Sequence, residues 1–293
     1  MTAYRLILQE KLPSAKRDSQ ALGQELYRWL IEPFVSELNG IQTLVFVLDR
    51  ELRDIPMATL HDGKQYLIEQ YAIAITPGLQ VLETELTQSQ QGGMLVAGAS
   101  QGDLTLGLPP LPAVKREVEE IATLLPNVEV LLDETFTASS LQSALEKKTA
   151  SIIHLATHGQ FSSNPEDTFI TTGRGERITI DKFGELLKQR TQLTELDLLF
   201  LSACQTLAGD RWASLGMAGI AIRSGARSTI ASIWNADDEA AADLVTFFYK
   251  ALGRGTTISK AEALRQAQIK MIHSQRHNLP VYWSPFVLIG NWQ

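Results

Sequence analysis

Apolar positions fall at helical spacing along Ser19 to Asn39, at Leu22, Leu26, Trp29, Leu30, Phe34 and Leu38. This pattern predicts a helix that Pro33 kinks and Gly40 ends. Arg5 to Gln9 reads as a short strand, and Ile41 to Leu48 as a buried one. Residues 49 to 80 alternate short apolar pieces with turn residues, including the hairpin signal Asp62-Gly63. They predict short antiparallel strands, followed by a helix from about Gly78 to Ser89. Gln90-Gln91-Gly92-Gly93 is polar and glycine-containing, and marks the best boundary.

Beyond residue 93 the rhythm is regular. Strands are predicted at 94–98, 128–132, 151–156, 197–203, 228–233 and 286–290. Helices are predicted at 113–125, 138–147, 181–190, 212–224, 236–252 and 258–274. Val114, Val118, Ile121 and Leu125 form one apolar helix face, and Ser259 with Glu262 makes a capping box. Strands alternating with helices imply an α/β fold with a mainly parallel sheet flanked by helices. Residues 1–90 form a smaller α+β half, and 91–293 the larger domain.

Composition narrows the function. The 293 residues carry 44% hydrophobic and 20% charged positions, which excludes a disordered chain. A net charge of -7 disfavours nucleic acid as a partner. The single cysteine cannot form an internal disulfide or a multi-cysteine zinc site. No targeting signal and no run of about 20 apolar residues occurs, so a cytoplasmic protein without membrane contact is expected.

In an open parallel sheet, ligands bind beyond the carboxyl ends of the strands. Three segments qualify: Thr157-His158-Gly159-Gln160, Cys204-Gln205-Thr206 and Trp234-Asn235-Ala236-Asp237-Asp238. They bring an imidazole, the only thiol and two carboxylates to one crevice. Cys204 is a candidate nucleophile and His158 its base. The N–H groups of Gly159 and Cys204 are candidate oxyanion donors. The alternatives are a buried inert thiol and a loop histidine bonded to backbone. His154 and His158 lie roughly 13 Å apart if the segment is a strand, so they share no metal and His154 belongs to the core. With Asn235 as N-cap, Asp238 falls at the third helical position, where a carboxylate favours the helix dipole. The other reading makes it a wall that receives Arg or Lys.

Other signatures fail. A tyrosine-phosphatase loop needs Arg six positions after its cysteine, and position 210 is Asp, with Arg211 one step late. No G-x-x-x-x-G-K-[ST] loop is present. Glycines 98, 102 and 107 do not make a dinucleotide fingerprint.

His154-Leu155-Ala156-Thr157-His158-Gly159-Gln160-Phe161 and Leu201-Ser202-Ala203-Cys204-Gln205-Thr206 resemble the two catalytic blocks of the CHAT domain, a caspase-like family of clan CD cysteine peptidases. Gly225-Ala226-Arg227-Ser228, Ala231-Ser232-Ile233-Trp234 with Asp238, Ala263 to Gln268, and Tyr282 to Gly290 resemble further blocks. Pro56 through Tyr66-Leu67-Ile68-Glu69 to Ile73 resembles the family's N-terminal half. The resemblance implies a caspase/separase-like fold, with His158 as catalytic histidine and Cys204 as nucleophile. It implies a protein substrate, no cofactor and no metal, and a chain normally preceded by TPR repeats or another regulatory part. The Trp234 to Asp238 spacing is similar to a stretch of separase in which an acid binds a basic P1 residue. That shifts the reading of Asp238, with Asp237 beside it, toward substrate binding. The loop after the cysteine departs from the family pattern. Thr206-Leu207-Ala208-Gly209-Asp210 replaces a T-G-x-G turn, and Trp212-Ala213-Ser214 stands where an E-G pair is common. The expectation is a cysteine endopeptidase cleaving after Arg or Lys. The alternative is a signalling or scaffold module that is inactive until regulated.

Overall fold

The computed structural model describes residues 2–49, 52–53, 55–76, 78, 92–103, 107–147, 149–161, 165–191, 195–202, 205–206, 225–253 and 258–293. The helices expected at 78–89 and 212–224, the start of the boundary at Gln90-Gln91, and the loop 207–214 lie outside these residues, apart from Gly78.

The chain opens with α1 (Thr2–Leu8) and α2 (Pro13–Leu30), followed by a 3-10 segment at Glu32–Leu38. Next come β1 (Thr43–Phe46), α3 (Leu67–Gln70) and β2 (Ala72–Ile75). The regular part follows as β3 (Gly93–Gly98), α4 (Ala113–Leu124), β4 (Val128–Leu132), α5 (Ala138–Glu146) and β5 (Ala150–Ala156). Three short strands, β6 (Gly159–Phe161), β7 (Phe169–Thr171) and β8 (Arg177–Thr179), precede α6 (Ile180–Thr191). The chain continues through β9 (Leu196–Leu201), β10 (Gln205–Thr206), β11 (Ala226–Ser232), α7 (Asp238–Leu252), α8 (Lys260–Ile272), α9 (Pro280–Trp283) and β12 (Phe286–Gly290).

Eight strands form one sheet in the order β1-β2-β12-β11-β9-β5-β3-β4. Every neighbouring pair is parallel except β11 with β12. Side chains alternate between two cores, as the two-residue strand period requires. Val96, Leu198, Phe200 and Ile230 pack with the apolar stripes of α4 and α7. Leu95, Ile153, Leu155, Leu199 and Leu201 pack with Leu141 and Leu145 of α5 and Phe183 and Leu187 of α6. Gly98 lets α4 approach the sheet closely. A Cβ there would stand 2.8 Å from Val118 Cγ2 and 2.9 Å from Val114 Cγ1.

Three expectations need correction, and one sheet is additional. Residues 5–8 belong to helix α1 and Gln9 to the turn after it, because Tyr4 and Leu8 are the buried pair, one helical turn apart, while Leu6 is exposed. The second helix runs from Pro13 to Leu30, so Pro33 lies in the 3-10 turn beyond its end and does not kink it. The described residues of 49–80 give no antiparallel strands beyond the single bridge His61↔Tyr66 around the turn at Gly63, whose φ is +97°. Their one strand, β2, is parallel to β1 and extends the main sheet. A second sheet of order β10-β6-β7-β8 follows β5 and β9 and was not expected. Among the described residues, no helix is long and apolar enough to cross a membrane.

Candidate active site

Strands β5, β9 and β11 are consecutive neighbours and parallel, so their carboxyl ends share one edge. His158 follows β5, Ser202 follows β9, and Trp234 to Asp238 follow β11. Ser202 N–H donates to Leu155 O at 2.9 Å, which ties the ends of β9 and β5 together. A cavity of about 230 Å³ lies at this edge, lined by Pro109, Glu117, His158, Ser202, Asn235 and Asp238 among others, and Asp237 is not in its wall. Cys204, the candidate nucleophile and oxyanion donor, lies outside the described residues, two positions beyond Ser202.

His158 is held at its backbone and its ring. Its carbonyl accepts from Thr171 N–H at 2.9 Å, and Thr157 Oγ1 donates to Thr171 O at 2.6 Å. Gly159 opens β6 and pairs with Ile170 of β7. The ring Nε2 stands 2.6 Å from Pro109 O. A carbonyl only accepts, so Nε2 carries the hydrogen and a neutral ring keeps its lone pair on Nδ1. Burial lowers the His158 pKa below its usual 6.5, and the Pro109 bond opposes that only in part. The ring is thereby kept neutral and able to accept a proton. A second cavity of about 430 Å³ lies against His158, with Asp103, Thr172 and Arg174 in its wall.

The three residues after β11 behave differently from one another. Trp234 is buried. Asp237, not Asn235, is the N-cap of α7, its side chain accepting from Ala240 N–H at 3.3 Å. Its other oxygen receives Lys11 Nζ at 2.7 Å. Asp238 is therefore the first residue of the helix and not the third. Its side chain turns back to accept from Ala113 N–H at the start of α4, at 2.8 Å. Burial raises the Asp238 pKa above its usual 3.8, Ala113 partly offsets that, and Glu117, Glu239 and Asp237 add to the rise.

His154 is fully buried, as expected of a core histidine. Its Nε2 lies 2.7 Å from Glu117 Oε1 and its Nδ1 lies 3.2 Å from Tyr249 Oη. No group of three metal-ligating side chains occurs among the described residues. Two site groups escaped the reading of the chain. The Pro109 carbonyl carries no side-chain signature. Glu117 does carry one, because it sits on the apolar stripe of α4 between Val114 and Val118.

Comparison with known proteins identifies the family and the fold. The family model for the CHAT domain matches residues 20–291. No curated protein matches the chain. Among solved structures, separase of Saccharomyces cerevisiae, in complex with securin, matches with a TM-score of 0.55 at 12% identity, over 85% of this chain and 16% of that one. The Arg-specific cysteine proteinase gingipain R matches with a TM-score of 0.54 at 10% identity, over 99% of this chain and 73% of that one. The complex of the pro- and mature domains of Porphyromonas gingivalis RgpB matches with a TM-score of 0.52 at 10% identity, over 99% and 74%. The fold is caspase/separase-like, and the chain spans about a sixth of the length of the separase chain.

Proposed function

The chain belongs to the CHAT domain family, and on that premise we propose that it is a cysteine endopeptidase that cleaves a protein partner after Arg or Lys. Cys204 is the nucleophile and His158 its general base. His158 Nδ1 takes the thiol proton as sulfur attacks the scissile carbonyl. The N–H groups of Gly159 and Cys204 receive the developing oxyanion. The imidazolium returns its proton to the leaving amine as the C–N bond breaks, and a thioester remains. Water, deprotonated by the same ring, then attacks the thioester and the cysteine leaves. The scheme needs neither metal nor organic cofactor.

One observation carries this reading. His158 sits at the sheet edge on the neighbour of the strand that leads to Cys204, and it donates Nε2–H to Pro109 O. That bond gives the ring the tautomer and orientation a base requires, with a backbone carbonyl in the place of a third side chain. Asp238 supports the basic P1 preference, since a carboxylate in a cavity shared with His158 is matched by a guanidinium or ammonium. The description of gingipain R as Arg-specific agrees with that chemistry. Asp237, engaged by Lys11 and by its own helix, contributes through its charge beside Asp238. Trp234 is buried in the same core as Ala240 and Ala241 of α7. A TPR array or another partner region is the expected regulator.

The test is alkylation by a peptide electrophile with Arg at P1, followed by peptide hydrolysis. Labelling confined to Cys204, with hydrolysis abolished in Cys204→Ala, is the expected result. Absence of labelling in every condition, with or without partner proteins, removes the peptidase and leaves a scaffold module.

A further inference from the structure

Glu117 is a carboxylate that the proposed mechanism does not use. It lies in the second turn of α4, 1% exposed, with its side chain toward the sheet. It lines the same cavity as His158, Ser202 and Asp238. Asp238 is only half-buried, so Glu117 lies at the deeper end.

Its contacts hold the carboxylate in place without using it up. Oε1 is 2.7 Å from His154 Nε2, and the far side of that ring meets the Tyr249 hydroxyl at 3.2 Å. Tyr249 is itself fully buried, and burial with the nearby Glu117 holds its hydroxyl protonated. The phenol can therefore donate to His154 Nδ1, and the ring then donates Nε2–H to Glu117. Oε2 takes no hydrogen bond from any described residue. The second oxygen of Asp238, Oδ1, is equally unengaged, because Ala113 N–H uses Oδ2. Ser202 Oγ, on the same wall, is buried and has no hydrogen-bond partner among the described residues. A buried polar atom left unpaired costs about 1–3 kcal/mol, so the Ser202 hydroxyl, with the remaining oxygens of Glu117 and Asp238 on residues that line the same cavity, suits an occupant rich in N–H donors.

We infer that Glu117 is a second specificity-determining residue of the P1 pocket, the acid at its inner end, and that with Asp238 it selects arginine over lysine. This rests on the reading of Asp238 as the P1 acid. A cavity of about 230 Å³ falls below the ~300–1,000 Å³ typical of drug-sized ligands and suits one side chain. An ammonium is a point charge that one carboxylate satisfies. A guanidinium is a planar fork with five N–H donors along both edges. One edge meets Asp238 Oδ1 at the mouth, and the other meets Glu117 Oε2 further in, with Ser202 Oγ able to accept as well. Burial raises the Asp238 pKa most, and the neighbouring charge of Glu117 adds to the rise, which agrees with a site built for a cation.

The test uses the Cys204→Ala protein and two small probes, so it does not depend on turnover. Agmatine stands for the arginine side chain and cadaverine for lysine, with binding followed by calorimetry. Agmatine should bind at least tenfold more tightly than cadaverine. Adding Glu117→Gln, which keeps the volume and an acceptor for His154, should weaken agmatine tenfold or more and cadaverine less than threefold. If Glu117→Gln does not fold, Glu117→Asp withdraws the carboxylate by one methylene and should cut agmatine affinity at least threefold with cadaverine unchanged. Equal affinity for the two probes, no agmatine binding, or a parallel change in both would overturn the assignment. Failure of Cys204 labelling in the wild type, with agmatine still bound, removes the peptidase and leaves the pocket.

Discussion

His158 is the residue on which the chemistry turns, and its protonation is set by where it sits. Burial disfavours the imidazolium, so its folded pKa lies below 6.5. A base of this kind is active when neutral, so the acid limb of kcat/KM should have its midpoint below 6.5. The same shift affects stability. Between the folded value and 6.5 the unfolded chain binds more protons, so stability is complete above 6.5 and declines as pH falls through that window. The slope of Tm against pH should be shallower in His158→Gln, though not flat, because burial also lowers the pKa of His61. An unchanged slope would show that the ring is not held neutral by its site. Asp238 presents the opposite case. Its pKa is raised by burial, so ionisation costs stability at neutral pH, and an Asn side chain can still accept from Ala113 N–H. Asp238→Asn should therefore keep or raise Tm at pH 7. It should lose at least about 30-fold in kcat/KM on P1-Arg substrates, the lower end of the ~2–5 kcal/mol for an unpaired buried charge. Unchanged cleavage in a folded variant would return Asp238 to holding α4. The chain shows His158 because the strand pattern ends just before it. It does not show which nitrogen carries the proton, since that depends on a carbonyl 49 residues away.

At the scale of elements, α4 and α7 form the walls of the pocket, and β5 carries the link between them. Arg116 joins the two helices on the surface, reaching Asp243 at 2.8 Å and Glu239 at 2.9 Å. His154 does so in the core through Glu117 and Tyr249. His154→Ala leaves the Glu117 carboxylate buried and without that partner, and removing one member of a buried pair costs about 3–5 kcal/mol. Denaturant unfolding should show a loss of that size, whereas His158→Ala should remove hydrolysis with little loss of stability. If the two effects trade places, the assignment of core and catalytic histidine is reversed. The described regular elements from residue 93 onward were legible, because each long apolar period has one core to face, and the helix expected at 212–224 lies outside them. The errors cluster where tertiary contacts decide. Residues 5–9 are short enough for either period, and burial of Tyr4 and Leu8 settled it. β6 to β8 are three residues each, too short for alternation to register, yet β6 and β7 hold His158 in place.

Over the whole molecule, the first ninety residues and the rest are joined through one sheet and one core. β2 pairs with β12, Tyr66 and Trp283 meet edge to face at 5.0 Å, and Arg265 donates to Ile68 O at 3.0 Å and to Glu69 O at 2.5 Å. Lys11 bonds to Asp237 at the head of α7, next to the residue proposed to bind P1. Chain pairing on this scale was not readable, because the boundary composition at Gln90-Gln91-Gly92-Gly93 reports local polarity and not what the strands on either side pair with. A piece comprising residues 92–293 would expose the β12 edge, Trp283 and the face of α8 that packs on β2. An unpaired strand edge beside apolar surface is a template for association. That piece expressed alone should aggregate or oligomerise, and co-expression with residues 1–91 should restore a soluble one-to-one complex. Light scattering of the two preparations decides it. A monomeric 92–293 piece with the Tm of the full chain would show that the first ninety residues are an appendage and do not complete the sheet.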